Sequence, residues 1–297
     1  FYGVRQLYGG LTNGEQKFLN DGAANTHLLW GKLRVFSFFS DAGQFGASQA
    51  HISLMAFIMA LGPFKWWKRL LLIIASFILL YGMLISGTRG ALFALIVGGF
   101  VAIFLSKNFK VLIFGSLLAI ACLGVLKFTN IGDNNYQIYR LRTALDPKDA
   151  SLNVRFINQQ ILRDYLSDMP FGGGLGVIGT WGHEYNKDKF LSTIEPDSYW
   201  VKVWVMYGIV GFIVWFCLMM YIIGKCCGIV WKIKDDGLRV KLIALTSGSV
   251  GVFFCSYGNE VMNTMPTALI LYMSWVFVYR GPAFDKELTE GKIINLN

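Results

Sequence analysis

Apolar runs that approach the thickness of a bilayer recur along this chain, and the short loops between many of them collect positive charge. The runs cover residues 47–62, 70–85, 91–106, 111–127, 199–224, 242–257 and 264–279. A membrane-crossing helix needs about 17–25 mostly apolar residues, because hydrocarbon offers backbone N–H and C=O groups no partner outside the helix itself. A chain built this way has little choice of fold. The pattern predicts an all-α polytopic membrane protein with about seven transmembrane helices and one long outer loop. Composition agrees, with 55% hydrophobic and 15% charged residues among 297 and a mean hydropathy of +0.49. The net charge of +9 follows from Lys and Arg gathering in cytoplasmic loops, so it is not a sign of nucleic-acid binding. Five cysteines lie in or beside the apolar runs without regular spacing. They read as reduced packing residues, not as a disulfide frame or zinc site.

Charge also sets the orientation. The loops holding Lys65, Lys68 and Arg69, then Lys107 and Lys110, then Lys225 to Lys241, belong inside. This divides the chain into an outer-side segment (1–46), four membrane helices (47–127), a long outer loop (128–198), three membrane helices (199–279) and a cytoplasmic tail (280–297). The chain opens on Phe1, and its polar, aromatic start suits the C-terminal part of a longer protein with earlier spans. Within the outer loop, Ile157, Ile161 and Tyr165 recur at helical spacing, which predicts a surface helix that Met169-Pro170 brings to an end.

One charge stands apart. In Ile85-Ser-Gly-Thr-Arg89-Gly-Ala91 an arginine joins two apolar runs at the outer surface. A guanidinium is always charged and carries a donor fork suited to phosphate, and the small neighbours Ser86, Gly87 and Gly90 allow a close approach. The bland alternative is an arginine snorkelling at the end of a span. The same face is expected to hold Arg34, Arg140, Arg142, Arg155, His183 and Asp197. Several arginines there could bind a lipid-linked diphosphate and neutralise the charge of a departing diphosphate. An acceptor hydroxyl then needs a base. The candidates are His183, in Thr180-Trp-Gly-His183-Glu-Tyr185, and Asp197, in Glu195-Pro-Asp197-Ser-Tyr199-Trp200. Asp197 could equally cap the helix that follows, and His183 could be an exposed loop residue. Glu260 is a further polar group on this face, or a solvated turn residue. Trp181 and Tyr199, beside these candidates, offer ring faces of the kind that stack on sugars. No Walker loop, HExxH or outer Asp-x-Asp pair is present, so the reading requires no metal and no cofactor. Gly174-Leu-Gly176-Val-Ile-Gly179 matches a dinucleotide fingerprint formally, but it follows no strand and reads as a turn.

At these residues the chain resembles the O-antigen ligase and O-antigen polymerase superfamily. Ser86-Gly-Thr-Arg89-Gly is similar to its Ser-x-Ser/Thr-Arg-Gly signature. Arg34-Val-Phe-Ser-Phe-Phe-Ser-Asp41 resembles its earlier arginine segment. Arg155 to Gly176 resembles its periplasmic helix and Pro/Gly turn. Asp197-Ser-Tyr-Trp to Gly208-Ile-Val-Gly211 resembles its His-Asn-x-Tyr-Leu helix, with Pro196-Asp197 standing where the ligase pattern has histidine. The resemblance covers roughly residues 34–225. It implies a multi-pass glycosyltransferase of the bacterial inner membrane with a periplasmic active face. Such an enzyme moves or polymerises glycan from an undecaprenyl-diphosphate carrier onto a lipid or glycan acceptor. Arg34, Arg89 and Arg155 would bind the diphosphate, and Asp197 or His183 would act as base. The missing histidine favours a polymerase over a lipid A core ligase. The competing class is a transporter or flippase of lipid-linked oligosaccharides, which would place its charges nearer the bilayer midplane.

Overall fold

The computed structural model describes residues 1–23, 27–29, 31–107, 117, 120–121, 124, 127–129, 139–140, 142, 150–196 and 198–294. The expected span 111–127 and the position of Asp197 therefore lie wholly or largely outside the described residues.

The first forty residues form a folded cap. Helix α1 (Tyr2–Tyr8) and helix α2 (Asn13–Phe18) are joined by a turn in which Thr12 and Glu15 cap α2 reciprocally. A two-residue antiparallel hairpin follows, β1 (Leu28–Leu29) with β2 (Lys32–Leu33), Leu28 lying opposite Leu33. The side chain of Gln6 on α1 is buried in this cap. It donates to Ser37 O (2.7 Å) and Glu15 Oε1 (2.8 Å), and accepts from Ser37 N (2.7 Å) and Phe36 N (3.2 Å). Ser37 sits at φ +58, a left-handed geometry that an L residue keeps only when its surroundings impose it. Gln6 supplies that restraint, and so fixes the strand-like segment that carries Arg34.

The helices of the main bundle are α3 (Ala42–Ala60), α4 (Trp66–Ser86), α5 (Arg89–Leu105), α8 (Tyr199–Lys232), α9 (Asp236–Cys255) and α10 (Thr267–Tyr279). Among the described residues α4, α8 and α9 are long and apolar enough to cross a membrane, while α5 and α10 are shorter apolar helices. Helix α3 begins at Ala42, five residues before the apolar run, because Asp41 caps it by accepting from Gln44 N at 3.1 Å. Helix α9 lies at the centre, against α3, α5 and α10. It can do so because small residues let the backbones approach: a Cβ at Gly251 would lie 2.4 Å from Ala94 O, and one at Gly98 of α5 2.7 Å from Ser247 O. Close van der Waals packing of this kind holds helices together where water supplies no hydrophobic drive. Helix α4 meets α3 through Ser53 and Ser76, whose hydroxyls lie 3.0 Å apart and each bond the other's carbonyl.

The outer loop packs as a small unit of its own. Helix α6 (Ala150–Tyr165), helix α7 (Thr180–Tyr185) and a 3-10 turn (Phe190–Thr193) enclose Leu162, Leu166, Val177, Ile178, Leu191 and Ile194 against Val201 and Val205 of α8. The expected apolar row Ile157, Ile161 and Tyr165 points away from this core and is 56%, 40% and 41% exposed. Helix α6 ends at Tyr165, and the chain turns through Leu166–Met169 before Pro170.

The long α8 is broken at Gly208, where φ 67 and ψ −173 leave the helix. The loop fills the break. Gly173 N donates to Val205 O (2.8 Å), Gly174 N to Met206 O (3.1 Å), and Val210 N to Pro170 O (3.2 Å). Irregular backbone at such a depth is tolerated where protein satisfies its polar groups, and residues 170–174 do so here. A Cβ at Gly208 would lie 2.1 Å from Pro170 O, so only glycine fits. The last helix, α11 (Gly281–Ile294), returns to α8 and α9. Its Asp285 accepts from Lys234 N (3.0 Å) and Asp235 N (2.9 Å) at the turn between them.

Candidate active site

Two helix N-termini meet at one end of the bundle. Helix α4 stops at Gly87, whose φ of +59 makes a left-handed cap, and Thr88 then opens α5. The Thr88 hydroxyl turns away from α5's own amides. It donates to Ala42 O at the start of α3 (2.8 Å) and accepts from Ser86 Oγ (3.0 Å). Gly46 makes this approach possible, since a Cβ there would fall 2.3 Å from Ser86 Oγ and 2.6 Å from Thr88 Cβ. The first residue of α5 is Arg89. The positive end of the helix dipole and a guanidinium therefore share one position, a combination that favours anions.

The cap delivers Arg34 to the same place. Its Nη2 reaches Thr88 Oγ1 at 3.5 Å, one residue from Arg89. Arg140 arrives from the outer loop, nearly buried at 7% exposure, and its Nε donates to Gly87 O at 2.6 Å. Sequence reading placed Arg140 on this face without a role. The structure gives it one, since it holds the carbonyl that ends α4 and so sets the start of α5.

The turn between α9 and α10 closes the far side. Asn259 packs against the first turns of both N-terminal ends: Cβ atoms built at Gly43 and Gly90 would lie 3.2 Å from its Oδ1 and 2.0 Å from its Nδ2. A Cβ at Gly258, the residue before it, would lie 3.9 Å from Arg155 Nη1, so α6 brings Arg155 to this turn. Glu260, the residue after it, accepts from Lys202 Nζ at 2.7 Å. Lys202 belongs to the first turns of α8 and is 9% exposed. The Glu260 carbonyl accepts from Gln44 Nε2 of α3 and from Thr264 Oγ1 (3.1 Å). Sequence reading missed Lys202, Gln44 and Asn259. A lysine at the fourth position of an apolar run was the available signal, and it resembled an ordinary span end.

The other candidates lie elsewhere in the loop unit. His183 sits on α7 with its Nε2 2.7 Å from Glu195 Oε1, and Trp181 stacks on Tyr185 at 5.6 Å with a 56% exposed ring. Gly179, which accepts from His183 N, lies over Lys202, where a Cβ would come within 3.3 Å of Nζ. The cap of α8 is Ser198, whose Oγ accepts from Val201 N at 3.3 Å. Tyr199 donates its N–H to Ser256 O at 3.0 Å, and its ring meets Trp215 edge-on at 5.9 Å. Among the described residues no group of three or more His, Cys, Asp or Glu could hold a metal ion.

Within the cap, Glu15 accepts from Arg5, Gln6 and Thr12. Burial raises its carboxyl pKa, and those hydrogen bonds outweigh burial and hold it at about 2.

Against known proteins, residues 74–216 match the model of a family described as O-antigen ligase. The chain is 31% identical over 188 residues to an O-antigen polymerase of Salmonella muenchen, across 62% of this chain and 45% of that protein. It thus spans less than half the length of that relative. No solved structure matches.

Proposed function

Across residues 74–216 the chain is a member of the O-antigen ligase and polymerase superfamily, and from that premise we propose that it builds surface polysaccharide as a glycosyltransferase of the bacterial inner membrane. The donor is a glycan on an undecaprenyl-diphosphate carrier, the acceptor is a lipid or another glycan, and the active face is periplasmic. Polymerisation is favoured over ligation to lipid A core, because Asp197 stands where the ligase pattern has histidine.

One observation carries the reading: Arg34 reaches the hydroxyl of Thr88 at 3.5 Å, beside Arg89 at the N-terminus of α5. Two permanent cations and a helix dipole at one position suit a diphosphate, and would stabilise the charge that grows on it as its glycosyl bond breaks. Arg155 joins them through the Gly258–Glu260 turn. Trp181 and Tyr199 offer rings for sugars, and the sequence offers Asp197 and His183 for the acceptor's proton. No step here calls for a metal.

Arg89→Ala is expected to abolish long surface chains in a deletion strain, and Arg89→Lys nearly so, because a point charge does not replace a bidentate fork. Normal chain length with Arg89→Ala would overturn the reading. A flippase is the competing reading, since broken helices such as α8 are common in transporters. Here the loop's own backbone fills the break, bonding Val205 O, Met206 O and Val210 N, instead of leaving it open to a passing substrate. Glycan transfer by purified full-length protein without any gradient separates the two.

A further inference from the structure

We propose that Glu260 is the group that takes the proton from the acceptor hydroxyl, with Lys202 as the positioning residue that holds its carboxylate. This rests on the glycosyl-transfer reading above. Glu260 lies in the turn that meets the starts of α3 and α5 and adjoins Arg155. Its neighbour Asn259 packs on the first turns of α3 and α5, and Gly258 adjoins Arg155. Its own main chain is fixed from two sides, because its carbonyl accepts from Gln44 and Thr264. A base must be held in place relative to the bond it serves, and this turn is held.

The carboxylate is oriented as well. Lys202 Nζ bonds Oε2 at 2.7 Å, while among the described residues no hydrogen bond reaches Oε1. The Glu260 side chain is 26% exposed and that of Lys202 11%, so the pair is largely buried and is not a free surface pair. Next to it, Gln44 is 5% exposed, and its Oε1 is buried with no hydrogen-bond partner. A buried acceptor left in that state is costly, and a hydroxyl donor from a sugar would satisfy it. Two acceptor atoms, Glu260 Oε1 and Gln44 Oε1, are thus left open where this turn meets the start of α3, and they suit a hydroxylated acceptor. His183, by contrast, is engaged by Glu195 on an exposed helix.

The acceptor's hydroxyl oxygen forms a bond to the anomeric carbon. The bond from that carbon to the carrier diphosphate breaks, and its electron pair stays on the diphosphate oxygen beside Arg34 and Arg89. The hydroxyl proton passes to Glu260.

The test uses the full-length protein in lipid, with a diphosphate-linked glycan as donor, and reads donor binding and single-turnover transfer separately. Glu260→Gln keeps the shape of the side chain. It is expected to bind donor within about threefold of wild type while transfer falls by roughly 10²–10⁴, the usual range for a lost acid–base group. The charge-swapped pair Lys202→Glu with Glu260→Lys is expected to regain thermal stability and stay inactive. Transfer by Glu260→Gln within tenfold of wild type, loss of its donor binding, or transfer restored by the charge swap would each overturn the proposal in favour of a structural latch. A wild-type protein that neither binds nor transfers the donor would instead overturn the underlying reading.

Discussion

Replacing Gly208 by Ala should undock the outer loop from the broken helix. The Cβ would lie 2.1 Å from Pro170 O and 2.4 Å from Gly172 N, both backbone atoms that cannot swing aside. The dihedrals of φ 67 and ψ −173 belong to a region that is nearly glycine-only, and forcing another residue into it costs about 1–3 kcal/mol. Relief requires the loop to move away, which breaks the three backbone bonds at 2.8, 3.1 and 3.2 Å. Each is worth about 0.5–1.5 kcal/mol net, and losing the set costs roughly 2–4 kcal/mol. The closed state bears the strain, so the loop's opening equilibrium shifts by at least about 1 kcal/mol, roughly fivefold. Amide hydrogen exchange reads this directly at Gly173 and Gly174, which should lose at least that much protection, and glycan transfer should fall with it. Gly224→Ala is the control. A Cβ there meets nothing within 4 Å, and in a helix interior Ala is favoured over Gly by up to about 1 kcal/mol. Wild-type protection of Gly173 and Gly174 in Gly208→Ala would refute the reasoning.

Gly46→Ala should push Ser86 and Thr88 aside, costing about 1–3 kcal/mol by overpacking and weakening donor binding, as a titration would show. Gln6→Leu leaves the amides of Phe36 and Ser37 without their acceptor and should destabilise the cap by about 1–3 kcal/mol, read as faster exchange across residues 34–40. Glu15→Gln tests the pH dependence. The folded carboxyl is held at about 2 against an ordinary 4.5, so its contribution is present above 4.5 and is lost as pH falls toward 2. The variant should be less stable than wild type at neutral pH, and the gap in melting temperature should close over that window. Replacing both Ser53 and Ser76 by Ala should cost about 1 kcal/mol or less, the modest scale of hydrogen bonds between membrane helices, and a denaturation series would check it.

The helices, the loop unit and the place of Arg89 were legible in the sequence because each follows from a local pattern. Apolar runs report helices, and a lone arginine between two of them marks where one ends and the next begins. What escaped the sequence was long-range. Lys202 and Glu260 stand 58 residues apart, and nothing local to either says that they meet. Gly172 and Gly208 read as punctuation in a turn and a helix, whereas their lack of Cβ atoms is what lets two backbones touch. The row Ile157, Ile161 and Tyr165 signalled a helix correctly, but the side facing the loop core is marked instead by Leu162 and Leu166. Helix period alone does not tell a protein-facing stripe from one turned outward. Ser198 caps α8, and a serine before an apolar run is a signal the sequence did carry.

The central claim is that Arg34 and Arg89 bind the carrier's diphosphate together at the start of α5. A cryo-electron microscopy structure of the full-length protein with an undecaprenyl-diphosphate-linked glycan tests it most directly. The account predicts diphosphate oxygens within about 3 Å of both guanidinium groups. A diphosphate resting elsewhere, out of reach of both arginines, would contradict it.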